Sequence, residues 1–206
     1  DEVTILRGGK VIRASGETEI DVSQIVNAMV GEDIGEHYPK EANATDEIVL
    51  QVCGLRTKTG VADATFDLHR GEVLGLGGVL GSGRTEIARA LFGVDPLVGG
   101  EMKLNGQPVS FKNEMAAIEA GFALVPENRK FDGLFFNFRA SGNITAASLG
   151  RMSSLGLLDL KAEAAGTRRL IEKLEISTLA EQKTVNFLSG GNQQKIVIAR
   201  WLFSEA

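Results

Sequence analysis

Cysteine is almost missing from this chain: Cys53 is the only one among 206 residues. A single thiol excludes a disulfide framework and a thiolate metal cluster, so no disulfide partner is expected. A reducing, cytoplasmic setting fits that usage. Long apolar runs are missing too, and none approaches the roughly 18 residues of a membrane span. The stretch "DEVTILRGGK" lacks the basic-then-apolar layout of a secretory signal. No period of about 20–50 residues recurs, which sets aside solenoids and propellers. Histidine is scarce: His69 reads as a turn residue beside Arg70-Gly71-Glu72, and His37 as a linker residue.

What is present is ordinary for a soluble globular protein, with 43% hydrophobic and 24% charged residues. The length suits one large domain or two small ones. The net charge of −5 is uneven: residues 1–50 hold eleven acidic and four basic side chains, the rest sixteen acidic and eighteen basic. That split points to two structural origins and away from a nucleic-acid partner, although a solvated acidic face accounts for the charge equally well.

Texture divides the chain near the same point. "VTILRGGKVIRAS" reads as two short strands around Gly8-Gly9, and "VSQIVNAMVG" as a helix with Ile25, Val26, Met29 and Val30 on one face and a stop at Gly31. "EDIGEHYPKEANATDE", with Pro39, is linker-like. Such a piece is too small for its own core, which assigns it to a domain lying mostly before residue 1. From Glu47 the pattern predicts strands at "EIVLQVCGL" and "VADATFDL", a turn at His69–Glu72 and a buried strand at "EVLGLGG". "TEIARALFG" follows as a helix with Ile87, Ala90 and Leu91 inward. "GEMKLNGQPV" is a hairpin turning at Asn105-Gly106, and "NEMAAIEAGFALVP" a helix running into a strand. Residues from about 141 to 180 read as mainly helical, with Leu170, Ile171 and Leu174 as the apolar face. The sum is an α/β domain with hairpins and a helical insert.

Between the predicted strand "EVLGL" and the helix lies "GGVLGSGRTE", spaced as G-x-x-x-x-G-K-[ST] with arginine in the lysine position. Gly78, Gly81, Ser82 and Gly83 allow backbone N–H groups to wrap a phosphate at a helix N-terminus. Thr85 stands where a hydroxyl reaches Mg²⁺. Arg84 keeps the positive charge, but its wide planar head is no substitute for a compact ammonium. Two other readings remain at this point. Gly75 and Gly77 begin a dinucleotide fingerprint with Asp95 about twenty residues on, yet Leu80 stands where its third glycine belongs. A glycine-rich structural turn is as compatible with the short motif as a phosphate site.

"LSGGNQQKIVIARWL", residues 188 to 202, weighs in favour of phosphate chemistry. Leu188, Ser189, Gly190, Gly191, Asn192 and Gln193 open a helix whose Ile196, Val197 and Leu202 are available for burial, and a hydroxyl with glycine N–H groups there suits an anion. This stretch resembles the signature of ATP-binding cassette (ABC) ATPases. Together with "GSGRTE" and "VPENRKFDGL" it is similar to the second cassette of bacterial double-cassette ATPases of monosaccharide importers, the ribose, galactose and xylose class. The resemblance spans nearly the whole chain. It implies the α/β fold of a P-loop NTPase with an antiparallel β subdomain and a helical subdomain at about 138–185. It implies residues 1–45 as the tail of a first nucleotide-binding domain and 46–206 as a second one. ATP and Mg²⁺ are the implied cofactors. The implied partners are membrane permease subunits, the other cassette and, indirectly, a periplasmic sugar-binding protein, at the cytoplasmic face of the inner membrane. Related double cassettes serve nucleoside and autoinducer uptake, and cassette ATPases without membrane partners also exist.

Departures from the family pattern refine the expectation. Glu127 takes the position of the glutamine that senses Mg²⁺ and the transport channel; a surface-loop carboxylate is the competing reading for it. No aromatic residue lies between Tyr38 and Phe66, where cassettes place one against adenine. No apolar strand ending in Asp-Glu follows the signature within residues 203–206, and "LGLLDL" at 155–160 is only a partial mimic on the wrong side of it. The resemblance therefore implies a chain truncated before the Walker B strand, with no catalytic residue of its own, altered at its phosphate loop and intact at its signature.

Overall fold

The computed structural model describes residues 3–7, 10–15, 22–30, 43–154 and 156–206. They belong to two compact units, Asp1–Asn43 and Ala44–Ala206. In the first, strands β1 (Val3–Arg7) and β2 (Lys10–Ser15) pair antiparallel from Arg7↔Lys10 to Val3↔Ser15, and helix α1 (Val22–Val30) packs against them. Ile5 is buried, whereas Leu6, Val11, Ile12, Val26 and Met29 remain exposed, as a unit of this size has too little mass to cover its apolar side. The expected turn at Gly8-Gly9, the stop at Gly31, and His37 and Pro39 lie outside the described residues.

The second unit begins with an antiparallel sheet in the order β4-β3-β5-β6, formed by β3 (Ile48–Thr57), β4 (Ala64–His69), β5 (Leu97–Leu104) and β6 (Gln107–Val109). A register shift between Val52 and Leu55 inserts an extra residue, so Leu50, Val52, Leu55 and Thr57 all stay buried despite the break in alternation. Gly100 faces that bulge at φ +92°, where a Cβ would lie 2.6 Å from backbone atoms of Gly54 and Leu55. Asn105 and Gly106 both adopt positive φ, the geometry of a two-residue hairpin turn. The inward face carries a cluster of Leu50, Val52, Leu55, Val61, Ala64 and Met102, against which helix α2 (Arg84–Leu91) sets Ile87, Ala90 and Leu91 as its period predicts.

Two predicted strands do not form. Residues 72–78 and 122–126 run without strand pairing among the described residues. Val73 is 97% exposed, Leu80 95% and Val125 45%. Apolar runs of this kind become strands only when flanking strands accept their backbone hydrogen bonds and a second layer covers them. Neither condition is met there by the four-stranded sheet.

The remainder is helical. After α3 (Glu114–Glu119), capped by Asn113, come α4 (Ala140–Thr145), α5 (Leu149–Met152), α6 (Leu160–Lys173), α7 (Leu179–Gln182) and α8 (Gly190–Phe203). Ile144 of α4, Leu170 and Ile171 of α6, and Ile196 and Val197 of α8 meet in one core with Val185 and Leu188. The fully buried Asn143 is satisfied within it: its Oδ1 accepts from Phe135 N at 2.8 Å, and its Nδ2 donates to the carbonyls of Phe135 and Arg139. Arg200 Nε donates to Asn143 O at 2.8 Å, tying α8 to α4, and burial holds the pKa of this guanidinium below its ordinary value. "LGLLDL" resolves into the strand Leu157–Leu158, paired with Ser153–Ser154, followed by the cap of α6. Asp159 Oδ1 accepts from Lys161 N and Ala162 N, each at 3.0 Å, so this carboxylate terminates a helix.

Candidate functional site

The loop from Gly78 to Thr85 leads into α2 through two left-handed glycines, Gly81 at φ +80° and Gly83 at φ +90°. Ser82 N donates to Val79 O at 3.1 Å, closing the turn. A Cβ on Gly78 would run into Ser82 Oγ and come within 2.8 Å of Ser82 Cβ, because the Ser82 side chain packs directly against the Gly78 backbone. α2 starts without a side-chain cap, which leaves its first N–H groups and the positive end of the helix dipole at this turn. Arg84 and Thr85 are exposed at the rim.

Glu127 is brought to this loop. Thr85 Oγ1 donates to Glu127 Oε2 at 3.4 Å, across 42 residues of sequence. Both residues line a cleft of about 1230 Å³ that also involves Arg84, Leu76, Arg200 and Trp201. α2 is anchored from behind by Arg89, whose Nε and Nη2 each donate at 3.1 Å to the buried Asp95 carboxylate. Asp95 therefore holds the helix and does not serve as the ribose-binding acid of a dinucleotide fold.

The second turn precedes α8. Ser189 caps it, its Oγ accepting from Asn192 N at 3.4 Å and from Asn192 Nδ2 at 2.9 Å. Asn192 Oδ1 accepts from Ser177 N at 2.9 Å, fixing the cap to the chain beyond α6. Ser189, Gly190 and Gly191 are exposed, whereas Leu188 and Gln193 are buried beneath them. Gln193 Nε2 donates to Val185 O at 3.1 Å and Leu188 O at 3.2 Å, and its Oε1 accepts from Arg129 Nε at 3.3 Å. Residues Leu188 to Gln193 do not line the cleft that holds Thr85 and Glu127. The structure thus joins the glycine loop with Glu127, while the turn before α8 stays outside that cleft and adjoins it at Arg129, which lines the cleft and bonds Gln193.

Comparison with known proteins adds to this geometry. The family profile described as ABC transporter matches residues 61–206, both turns included. The chain belongs to that family. The ribose import ATP-binding protein RbsA 3 of Rubrobacter xylanophilus is 42% identical over 100% of this chain and 41% of its own length. The galactose/methyl galactoside import ATP-binding protein MglA of Fusobacterium nucleatum is 38% identical over 100% of this chain and 42% of its own. The chain thus spans about two-fifths of the length of these curated relatives. A solved structure, the ATP-binding cassette MJ0796 in a dimeric post-hydrolysis state with ADP and Pi, shares the fold at TM-score 0.54 and 17% identity, over 75% of this chain and 69% of that one. The fold is accordingly the α/β P-loop NTPase fold of ABC ATPases.

One feature escapes sequence reasoning and one was within its reach. Arg129 lies in "VPENRKFDGL", but only the fold brings it to Gln193. The inward turn of Gln193 was open to detection: Gln193, Ile196, Val197 and Arg200 form an i, i+3, i+4, i+7 stripe, and all four are buried. Leu202, expected inside, is 43% exposed because it lies off that stripe.

Proposed function

We propose that this chain is part of the ATP-binding subunit of a bacterial sugar ABC importer, coupling ATP binding and hydrolysis to monosaccharide uptake. The observation that carries the reading is the presence in one cassette fold of two exposed glycine-bounded helix starts, the Gly78–Thr85 loop and the Ser189–Gly191 turn. The import functions in the relatives' printed names support it. Residues 1–45 are the tail of the first nucleotide-binding domain, and 46–206 belong to the second, whose helical subdomain covers about 138–185.

Two left-handed glycines, Gly81 and Gly83, and the uncapped start of α2 support ATP phosphates at the loop. Gly78, Gly81, Ser82 and Gly83 would surround the phosphates, Arg84 would add charge, and Thr85 with Glu127 would hold Mg²⁺, which would supply neutralisation of phosphate charge. Because Arg84 replaces the compact lysine, this loop binds nucleotide and props the closed state. Leu188, Ser189, Gly190, Gly191, Asn192 and Gln193 build the turn that completes the competent ATP site of the other cassette. Permease subunits and, through them, a periplasmic sugar-binding protein are the partners, at the cytoplasmic face of the inner membrane.

The test is calorimetric titration of Mg-ATP into the full-length double-cassette protein, with phosphate release measured in parallel. Arg84→Ala is expected to weaken one of two bound nucleotides. Ser189→Ala is expected to retain both nucleotides and lose hydrolysis at least tenfold. Hydrolysis that persists unchanged in Ser189→Ala overturns the assignment. Binding without any turnover in the unaltered protein selects a regulatory nucleotide module instead.

A further inference from the structure

We infer that the pocket formed by α5, α6 and the end of α8 is a binding site for a small organic acid, whose carboxylate is held by Arg151 and Arg169. The pocket has a volume of about 510 Å³, within the range of about 300–1,000 Å³ that small-molecule sites occupy. It is distinct from both helix starts. None of its lining residues belongs to the Gly78–Thr85 loop, to the cleft that Thr85 shares with Glu127, or to the Leu188–Gln193 turn. The hollow follows from the sequence of α6, where Ala165, Gly166 and Arg169 fall on one face of the helix. Gly166 lets α8 come close, since a Cβ there would lie 2.6 Å from Phe203 Cε2. Ala165 beside it is too short to fill the space left over, so a hollow remains, with Phe203, Met152 and Leu202 as its apolar lining.

Three polar side chains in the lining have bonding capacity to spare. Ser148 is 3% exposed, and its Oγ has no hydrogen-bond partner among the described residues. It stands at the start of α5 without capping it. Buried hydroxyls are ordinarily paired, so this one keeps a donor for a ligand. Arg169 makes no ion pair among the described residues, whereas the neighbouring Arg168 lies 3.8 Å from Glu181. Arg151 Nη2 donates to Ser204 O, and its Nη1 lies 3.7 Å from Glu205 Oε2.

The Glu205 contact identifies the ligand chemistry. A carboxylate is drawn to this guanidinium, yet its side chain is 84% exposed, and an exposed pair at 3.7 Å is loose. Glu205 also holds φ +57°, a left-handed conformation that costs a residue with a side chain. A ligand carboxylate can therefore replace Glu205 on Arg151 and engage Arg169 as well. Two guanidiniums against one carboxylate leave the lining with an excess of positive charge. The planar, forked donors of arginine match a carboxylate in particular. The apolar lining then favours an acid with a short hydrocarbon chain over an inorganic anion, which has no surface to bury there.

Titration of hexanoate into the full-length protein, followed by calorimetry and ligand-observed NMR, tests this, with hexanol and inorganic phosphate as comparison ligands. Hexanoate is expected to bind in the millimolar range and about tenfold more tightly than either. Arg169→Gln is expected to weaken it about tenfold and Ser148→Ala about threefold, as charged and neutral hydrogen bonds are lost. Ala165→Leu fills the pocket from an exposed helix position and should abolish binding. Thermal midpoints within a few degrees of the parent show that each variant folds, and should Arg169→Gln fail to fold, Ala165→Leu carries the test. No hexanoate binding by the parent, or binding that survives either of these two variants unchanged, overturns the site. Hexanol binding as tightly as hexanoate overturns the role of the arginines, and phosphate binding more tightly overturns the organic acid as ligand.

Discussion

Two helix starts in this protein present backbone N–H groups and small residues to solvent, and they are built in opposite ways. The one before α8 is finished: Ser189 caps it, Asn192 pins the cap to Ser177, and Gln193 fills the space beneath. The one before α2 is open: Gly83 heads it at φ +90°, no side chain caps it, and its neighbours at Val79 and Leu80 lie in solvent. On the proposed function the first turn completes a site held by another domain and must keep its shape before that site is filled, whereas the second wraps a phosphate that would satisfy its N–H groups. The difference teaches that similar motifs need not carry similar shares of stability.

That contrast can be broken most easily at Gln193. Gln193→Ala removes the acceptor for Arg129 and the donor to two buried carbonyls; Val185 O keeps its bond from Leu188 N at 3.2 Å, whereas Leu188 O loses the Gln193 donor. Chemical denaturation should show a loss of about 1–3 kcal/mol, the penalty of leaving a buried polar group without its partner. A loss below about 0.5 kcal/mol would mean that the signature turn is not held from beneath. Ser189→Ala comes next. Removing the cap should cost about 1 kcal/mol by the same measurement, because Asn192 N loses its side-chain acceptor.

Much of this was open to reading from the sequence, and the failures share one cause. The Asn105-Gly106 turn, the inward face of α2 and the start of α8 at Ser189 are local features, decided by residues within one or two turns of each other. Residues 72–78 and 122–126 were misread as strands because strand formation is decided by partners distant in sequence. The Thr85–Glu127 contact spans 42 residues, and the Arg129–Gln193 contact spans 64. Motif spacing fixes neither distance. "LGLLDL" reads from sequence as only a partial mimic of a strand ending in Asp-Glu, and the two bonds to α6 give the Asp159 carboxylate a capping role instead.

At the open loop the same measurement should give less. Gly81 has positive φ and nothing within 4 Å of a built Cβ, so Gly81→Ala meets only backbone strain. An exposed loop can relax part of it, and the expected loss is below about 1 kcal/mol. Mg-ATP binding should fall more than stability does, the inverse of the pattern at Gln193. Equal losses at both turns would erase the distinction between a prebuilt turn and an open one.

The smallest effect belongs to the sheet that carries the loop. Glu47 accepts from Arg70 Nε at 2.6 Å and Nη2 at 2.8 Å, joining the chain just before β3 to the end of β4. The hydrogen bonds from Arg70, aided by its charge, hold the Glu47 carboxyl below its usual pKa. A depressed folded pKa stabilises the protein above the unfolded value, and the contribution disappears as pH falls through the folded one. Both side chains are more than half exposed, at 57% and 56%, so solvent and salt screen most of it. Glu47→Gln should therefore lower the thermal midpoint slightly at pH 7 in low salt and match the parent both in acid, below the depressed pKa, and in 1 M salt. Neither helix start should register the change in nucleotide binding. A Glu47→Gln effect that grows in acid would reverse the sign of this linkage and assign the pair a different role in holding the sheet beneath the loop.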